Sequence, residues 1–517
     1  MIKKFLEISF KKDGQHSPLY LQLESEIIQL ICRGVLKPGQ ALPSSRELAQ
    51  SLKLNRKTVV ATYEELGAQG WVETRERSGV YVSSHLPDTS AHAINPNSKK
   101  LTRSRQPGYP LIIKRPSNGT TRIDPNVEII TPGMPTPLYK IDDGFPDPRI
   151  APIEQLVREY RRFGKSRLTN RLLMYGPEQG SYHLRVELAK FLNKTRGMQV
   201  TEKEILITKG TQMAIYLTTQ LLVRPGDTVF VPEPGYLDAN EAFKLAGANL
   251  VFIPVDKEGM DVDRIEQLCK KKVPKMIYII PHHHRPTTVT LSAERRMRLM
   301  NLARKYRFAL LEDDYDFDYH FTSSPLLPLA SLDTAGHIIY VGSFCKSIAP
   351  GIRIGFMVAP EVVISEAAAL RKLIDRQGEQ LLEEATAELL SAGEISRHIK
   401  KSHKVYQGRL ENTCRLLREH LQDYLTFERP NGGLAIWATY SKNISASAVA
   451  LNAEKLGLKI SDGRNYFFQP NISRPHDFIR IGYCSLDETE MAGAIDIWKQ
   501  ALTPFAPKKK GKNGSVK

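Results

Sequence analysis

Lys346, within VGSFCKSIAPGIRIG (341–355), is a primary amine placed where an apolar run gives way to small residues. An amine so placed can condense with an aldehyde once it has lost its proton. Other groups of complementary chemistry recur along the chain: Asp313 and Tyr315 in EDDYD, Gly210, Thr211 and Gln212 in TKGTQ, Tyr236 in EPGYLD, and Ser343 and Arg353 on either side of the lysine. A carboxylate can hold a proton on a ring nitrogen, and a phenol can meet a ring hydroxyl. A glycine-led helix start with a cation suits a phosphate. An aromatic side chain offers a stacking platform. These are the requirements of pyridoxal 5′-phosphate, an aldehyde whose ring works as an electron sink when its nitrogen is protonated. Lys346 is the candidate Schiff-base lysine, with Asp313 at the pyridine nitrogen and Tyr315 at the ring hydroxyl. Tyr236 would lie against the ring, and Gly210, Thr211, Gln212, Ser343 and Arg353 around the phosphate.

The elements that must position these groups are strand-like apolar runs: EILIT, TVFVP, LVFIPV, MIYIIP, FALLED and IIYVGS, each followed by a helical stretch. Alternation of this kind predicts a mainly parallel sheet covered on both faces. In such sheets ligands bind outside the carboxyl ends of the strands. Lys346, Asp313, Tyr236 and Gly210 all fall just past strand ends. The α/β region is expected over 136–517, with a smaller C-terminal α+β subdomain mainly from about 365.

The first 84 residues have a different grammar. Leu23, Ile27, Leu30 and Ile31 share one face of a predicted helix that stops at Gly34. Ser44 and Glu47 form a capping-box pattern that opens a second helix, and Asn55 caps a third whose front, Arg56-Lys57-Thr58, is basic and polar. GWVETRERSGVYV then predicts two strands around Gly79. Two helices joined by a short turn, the second with a basic tip, make a helix-turn-helix with a wing, which places side chains in the major groove of DNA.

LPSSRELA (42–49) and the Arg56–Val59 stretch resemble the GntR family of winged helix-turn-helix modules. The resemblance implies that Arg46 and Arg56 contact phosphate or base edges, with Ser44, Ser45, Asn55, Lys57 and Thr58 nearby and Gly79 at the minor groove. YGPEQG, TKGTQ, EDDYD, SFCKSIAPGIRIG and RIGYCSL resemble, in that order, the fold-type I, aspartate aminotransferase-like family. Joined to the front module, the whole resembles a MocR/GabR-type transcriptional regulator. That resemblance implies a domain-swapped homodimer on double-stranded DNA and a small amino-acid or amine effector sensed through an external aldimine. It places the effector's carboxylate on Arg480. It also puts His283 beside the cofactor, in a segment, PHHHRPTT (281–288), that departs from the family's P-S-H-Q-F/Y-P-T-G at His282, His284, Arg285 and Thr288. A working aminotransferase with an accessory DNA module, and a sensor of the cofactor itself, are the alternatives.

The totals set bounds. A chain of 517 residues, 41% hydrophobic and 25% charged, is globular and long enough for more than one core. A net charge of +17 favours phosphate-bearing partners. Five cysteines without C-x-x-C spacing fit free thiols and a cytoplasmic location. The three consecutive histidines have no partner spaced for a metal, and on an extended chain His282 and His284 would point opposite to His283. Residues 85–135, rich in Pro, Ser, Asn, Lys and Arg, are expected to be a linker in which Lys99, Lys100, Arg103 and Arg105 add non-specific attraction to phosphates. The basic tail 507–517 is expected to be a frayed end.

Overall fold

The computed structural model describes residues 18–75, 78–86, 137–322, 326–464, 466–468 and 477–505. Nearly all of the expected linker, its four named basic residues and the tail lie outside them. The chain divides into two compact units, 1–112 and 113–517.

The first unit packs three helices, α1 (Leu19–Cys32), α2 (Ser45–Leu52) and α3 (Arg56–Ala68), beside a hairpin of β1 (Val72–Arg75) and β2 (Gly79–Val82). Its core joins Leu23, Ile27 and Ile31 of α1 to Leu48 of α2, Val59, Tyr63 and Leu66 of α3 and Trp71, Val72 and Val82 of the hairpin. Leu30 lies at the margin of this core rather than within it. The capping box forms as two reciprocal bonds: Glu47 N–H donates to Ser44 Oγ at 3.3 Å, and Ser44 N–H to Glu47 Oε2 at 2.9 Å. Asn55 Oδ1 accepts from Lys57 N–H at 2.9 Å and so fixes where α3 begins.

In the second unit β3 (Tyr139–Lys140), α4 (Ile153–Gly164), α5 (Thr169–Leu172) and α6 (Tyr182–Arg196) lead into the main sheet. The sheet is built by β4 (Ile205–Thr208), α7 (Thr211–Leu222), β5 (Thr228–Glu233), α8 (Leu237–Leu245), β6 (Asn249–Asp256), β7 (Gly259–Met260) and α9 (Val262–Cys269). It continues through β8 (Met276–Ile279), α10 (Ala293–Tyr306), β9 (Ala309–Asp314), β10 (Ile338–Ser343) and β11 (Gly355–Val358). Spatial order is β4-β11-β10-β9-β8-β5-β6-β7, with β6, β5, β8, β9 and β10 mutually parallel. β11 runs antiparallel between β4 and β10. Alternate residues of one strand feed opposite cores. Ile277 and Ile279 pack with α6, α9 and α10, whereas Met276 and Tyr278 pack with α7 and α8. Both faces are therefore buried, which is why these strands read as unbroken apolar runs.

α11 (Glu361–Ile374) and α12 (Gln380–Ser391) also cover the large sheet, through Ile364 and Ala367 in one core and Ala385 and Leu389 in the other. The smaller lobe thus begins later than about 365, along α13 (Glu394–Leu421). It contains β12 (Leu425–Phe427), β13 (Ala435–Tyr440), α14 (Ala446–Lys455), β14 (Leu458–Lys459), β15 (Phe478–Gly482) and α15 (Glu488–Leu502). It also recruits Tyr139 and Ile141 from the unit's beginning, because β3 pairs with β14. Sequence periodicity reports that a helix is amphipathic, not which core receives its apolar face. Among the described residues, no helix is long and apolar enough to cross a membrane.

The Ser44–Glu47 box leads to an expectation. Ser44→Ala should cost about 1 kcal/mol, lowering the small unit's unfolding transition by roughly 4–8 °C in calorimetry. An unmoved transition would show that the cap contributes nothing.

Candidate functional site

The phosphate end of the site is assembled around one close approach of backbone. Gly210, at the N-cap of α7, has φ +83°, and a Cβ built on Gly355 would stand 2.5 Å from its Cα. Only glycine at position 355 lets β11 run this close to the turn after β4. Arg353 lies in the same corner and donates to Lys209 O at 2.6 Å, with its guanidinium 3.6 Å from Cys345 Sγ. The first N–H groups of α7 have no partner within the helix and carry its positive pole. Beside Arg353 they make an anion cradle.

One cavity of about 380 Å³ collects these groups. It is lined by Gly210, Thr211, Gln212, Tyr236, Asp313, Tyr315, Ser343, Lys346 and Arg353, all nominated from sequence. It is also lined by Phe145, Asp238, Ile280, Arg285, Cys345 and Pro350, which were not nominated. The sequence marked Arg285 as a departure from a pattern but gave no sign of where its side chain goes. Phe145 belongs to a loop, IDDGFPD (141–147), whose approach to Lys346 spans some two hundred residues and leaves no local signal.

Lys346 lies just past β10. Its Nζ donates to Gly144 O at 2.7 Å and lies 3.7 Å from the centre of the Phe145 ring. Burial, aided by the positive charges of Arg285 and Arg480, brings its pKa down to about 8 against the opposing pull of Asp142. A substantial fraction of the amine is therefore neutral near physiological pH. Asp313 accepts from Tyr278 Oη at 2.8 Å through Oδ2, while Oδ1 is buried without a hydrogen-bond partner among the described residues. Burial raises its pKa to about 7 despite the Tyr278 hydrogen bond. A buried acid with one unsatisfied oxygen is suited to a protonated nitrogen, which would restore its charge. The Tyr315 hydroxyl donates to His283 O at 2.6 Å and accepts from Arg480 at 3.1 Å.

Two nominated residues do not reach the cavity lining. The His283 ring is 1% exposed, pairing Nδ1 with Asp316 at 2.9 Å and Nε2 with His320 at 3.0 Å. Only its carbonyl oxygen meets the site, through Tyr315. The backbone at His283 is left-handed, with φ +41°, so the segment is not extended and all three histidines are buried. Among the described residues, no cluster of His, Cys, Asp or Glu is arranged to hold a metal. Arg480, also 1% exposed, donates to Asp143 O at 2.8 Å, Pro286 O at 2.7 Å and Tyr315 Oη.

In the first unit Arg46, Arg56 and Lys57 are exposed at the front of α2 and α3, where Arg56 Nε reaches Ser45 Oγ at 3.5 Å. Ser44, Asn55 and Thr58 lie beside them in the chain, and the exposed Gly79 opens the second strand of the hairpin with φ +108°.

Residues 146–497 match the family model of aminotransferase class I and II, and the chain belongs to that family. Residues 19–82 match the gntR family of bacterial regulatory proteins, whose helix-turn-helix modules bind DNA. The two parts in this order make the chain a transcriptional regulator of the MocR type, as relatives of nearly full length agree. The probable rhizopine catabolism regulatory protein MocR of Rhizobium meliloti is 28% identical over 94% of this chain and 93% of its own. The HTH-type transcriptional regulator TauR of Rhodobacter capsulatus is 29% identical over 96% and 99%. Among solved structures, the α-aminoadipate aminotransferase LysN of Thermus thermophilus, complexed with N-(5′-phosphopyridoxyl)-L-leucine, superposes with a TM-score of 0.65 at 25% identity. The match covers 71% of this chain and 92% of that one. A Pyrococcus horikoshii kynurenine aminotransferase gives 0.65 at 27%, covering 71% and 91%. The aminotransferase family depends on pyridoxal phosphate, and the unpartnered Asp313 oxygen, the glycine-led cradle and the part-buried amine fit that group.

The lowered basicity of Lys346 can be read directly. In protein freed of small molecules, pulse labelling with trinitrobenzenesulfonate and peptide mapping should show Lys346 reaching half its limiting rate near pH 8. Exposed lysines should do so near ~10.4. A Lys346 rate still climbing above pH ~10 would contradict the burial argument.

Proposed function

We propose that the protein is a ligand-responsive transcription factor that holds pyridoxal phosphate on Lys346 and changes its hold on DNA when an amino-group ligand reaches that site. The observation that carries the reading is one cavity containing Lys346, Asp313 and the Gly210–Arg353 cradle, in a chain that also bears a GntR module. When bound, pyridoxal phosphate supplies an aldehyde that exchanges between primary amines and a ring that takes up electron density. Lys346 supplies the resident amine, kept partly neutral by burial. Asp313 Oδ1 holds a proton at the ring nitrogen, and Tyr315 orients the ring hydroxyl from its anchor on the His283 carbonyl. Thr211, Ser343 and Arg353 with the α7 N-terminus take the phosphate, and Tyr236 flanks the ring.

On the DNA side, Arg46, Arg56 and Lys57 contact the phosphates and base edges of the major groove, with the hairpin at Gly79 along the minor groove. The working form is a homodimer whose two modules read two half-sites. Control by a ligand then requires unequal affinity for the two states of the dimer, since a ligand that binds both equally shifts nothing.

Two variants test the halves separately. Lys346→Ala should abolish the Schiff-base absorbance of the loaded protein yet leave the chain folded; unchanged absorbance would remove the lysine from this role. Arg56→Ala should weaken binding to a duplex selected by the wild-type protein from random sequence about tenfold or more, with absorbance intact. Loss of absorbance there would contradict separate modules. Turnover of an amino donor and a keto acid at ordinary enzyme rates would assign the chain to the enzymes instead.

A further inference from the structure

A second cavity of the second unit, of about 450 Å³, is lined by residues 148–155 and by Glu394, Arg397, His398 and Lys401 of α13. It shares no lining residue with the cavity at Lys346. α13 joins the large-lobe core at Ile395 and the small-lobe core at Tyr406 and Leu410, so the cavity stands where the lobes meet. Two helix starts border it. α4 begins after Pro152 and α13 after Gly393, and neither has a side-chain cap. Their first N–H groups have no partner within the helix and carry its positive pole. Of the cations, Arg149 is committed to Asp147, Glu490 and the Ser485 carbonyl, and Arg397 is paired with Glu394 at 2.7 Å. Lys401 is exposed and forms no ion pair among the described residues. The wall also holds one exposed carboxylate, Glu154. What distinguishes the place from an ordinary pair of solvated helix ends is His398. It is 6% exposed, borders the cavity, and its Nε2 is buried without a hydrogen-bond partner among the described residues. A backbone hydrogen bond with Ser347 engages the other ring nitrogen, and burial disfavours the charged ring. In the neutral ring Nε2 therefore carries a lone pair that lacks a proton donor.

We propose that this cavity is a second ligand site, which takes inorganic phosphate or a phosphate monoester between the starts of α4 and α13, with Lys401 as counter-charge and His398 Nε2 as proton acceptor. An occupant must do two opposite things there: donate a proton to Nε2 and accept from Lys401 and the helix N–H groups. Phosphate with a free P–OH does both, because its second pKa is about 6 and P–OH and P–O⁻ coexist near neutrality. Sulfate, a carboxylate and the phosphodiesters of DNA are fully ionised at that pH. They offer acceptors only, and leave Nε2 as unmet as it is now. Ser347 follows Lys346 directly, so an occupant touches a ring that holds the backbone beside that lysine. The site is nonetheless independent of whatever Lys346 binds.

The test is equilibrium dialysis of the full-length protein, near neutral pH, against inorganic phosphate, glycerol 3-phosphate and sulfate. Excess pyridoxal phosphate is supplied first and the unbound part removed, so that the Gly210–Arg353 cradle is filled. The wild-type protein should bind at least one of the two phosphates more tightly than sulfate by about ten- to hundredfold, the usual worth of a hydrogen bond to a charged group. Preference for the free ion or for the ester tells which source the cavity fits, and either supports the inference. His398→Phe should bring that phosphate down to the level of sulfate. Lys401→Gln should weaken phosphate and sulfate together and keep the preference. Equal affinity for phosphate and sulfate in the wild-type protein, no binding of either phosphate, or a preference that survives His398→Phe overturns the inference. Should His398→Phe fail to fold, phosphate binding unmoved in Lys401→Gln, a change at an exposed residue, overturns it.

Discussion

The site depends on the removal of one amine from water. A lysine at a strand end is ordinarily a solvated cation. Here Nζ is part-buried at the cavity wall against the Phe145 ring and the Gly144 carbonyl, and its charged form loses some hydration that a single carbonyl does not replace. The neighbouring charges are mixed. Arg285 and Arg480 push the proton off, while Asp142 and Asp316 hold it on, and burial outweighs both. The outcome is an amine that gives up its proton more readily than an exposed lysine, obtained by covering it in part with a loop.

The acids beneath the site differ sharply in how they are held. Glu312 and Asp313 on β9 are pushed up by burial to about 8 and about 7, yet the adjoining Asp314 is held below the usual carboxylate range by His282, Arg196 and the Tyr340 hydroxyl. Glu312 accepts two backbone N–H groups, from Leu329 and Ala330, at 2.8 Å. Asp313 thus faces one way and Glu312 and Asp314 the other, because alternate strand residues lie on opposite faces of the sheet. Asp313 alone is turned toward the cavity, and it alone of the three borders it. An EDDYD run therefore places one acid in the site and supports it with its neighbours.

What the sequence made legible was local or periodic. The Ser44–Glu47 box, the Asn55 cap, the strand ends at Asp313 and Ser343 and the glycine before α7 are written within a few residues of where they act. Groups whose role depends on a distant approach were not legible. Arg285 finds Asp143 across 142 residues, and Gly144 finds Lys346 across 202. His283 was expected beside the cofactor, on an extended segment. A left-handed turn at that residue instead sends the ring to Asp316 and His320 and leaves its carbonyl to do the work. The boundary of the small lobe moved for a related reason, since α11 and α12 carry apolar faces that could have served either core.

A site of this composition does not by itself separate catalysis from sensing. A buried amine, an acid at a ring nitrogen and an anion cradle serve both, and the working aminotransferases with the same fold show how little need change. The two differ in the step after binding. An enzyme must let the altered ligand leave quickly, whereas a sensor must couple occupancy to a second equilibrium. The 142–145 loop is the part of the site suited to the second demand, because it touches Lys346, Arg285 and the arginine that holds Tyr315. A ligand acting on that loop changes several polar contacts together, each replaced rather than merely broken. Sensing requires differential affinity between two arrangements, and a difference of about 1–3 kcal/mol is the usual scale of such coupling.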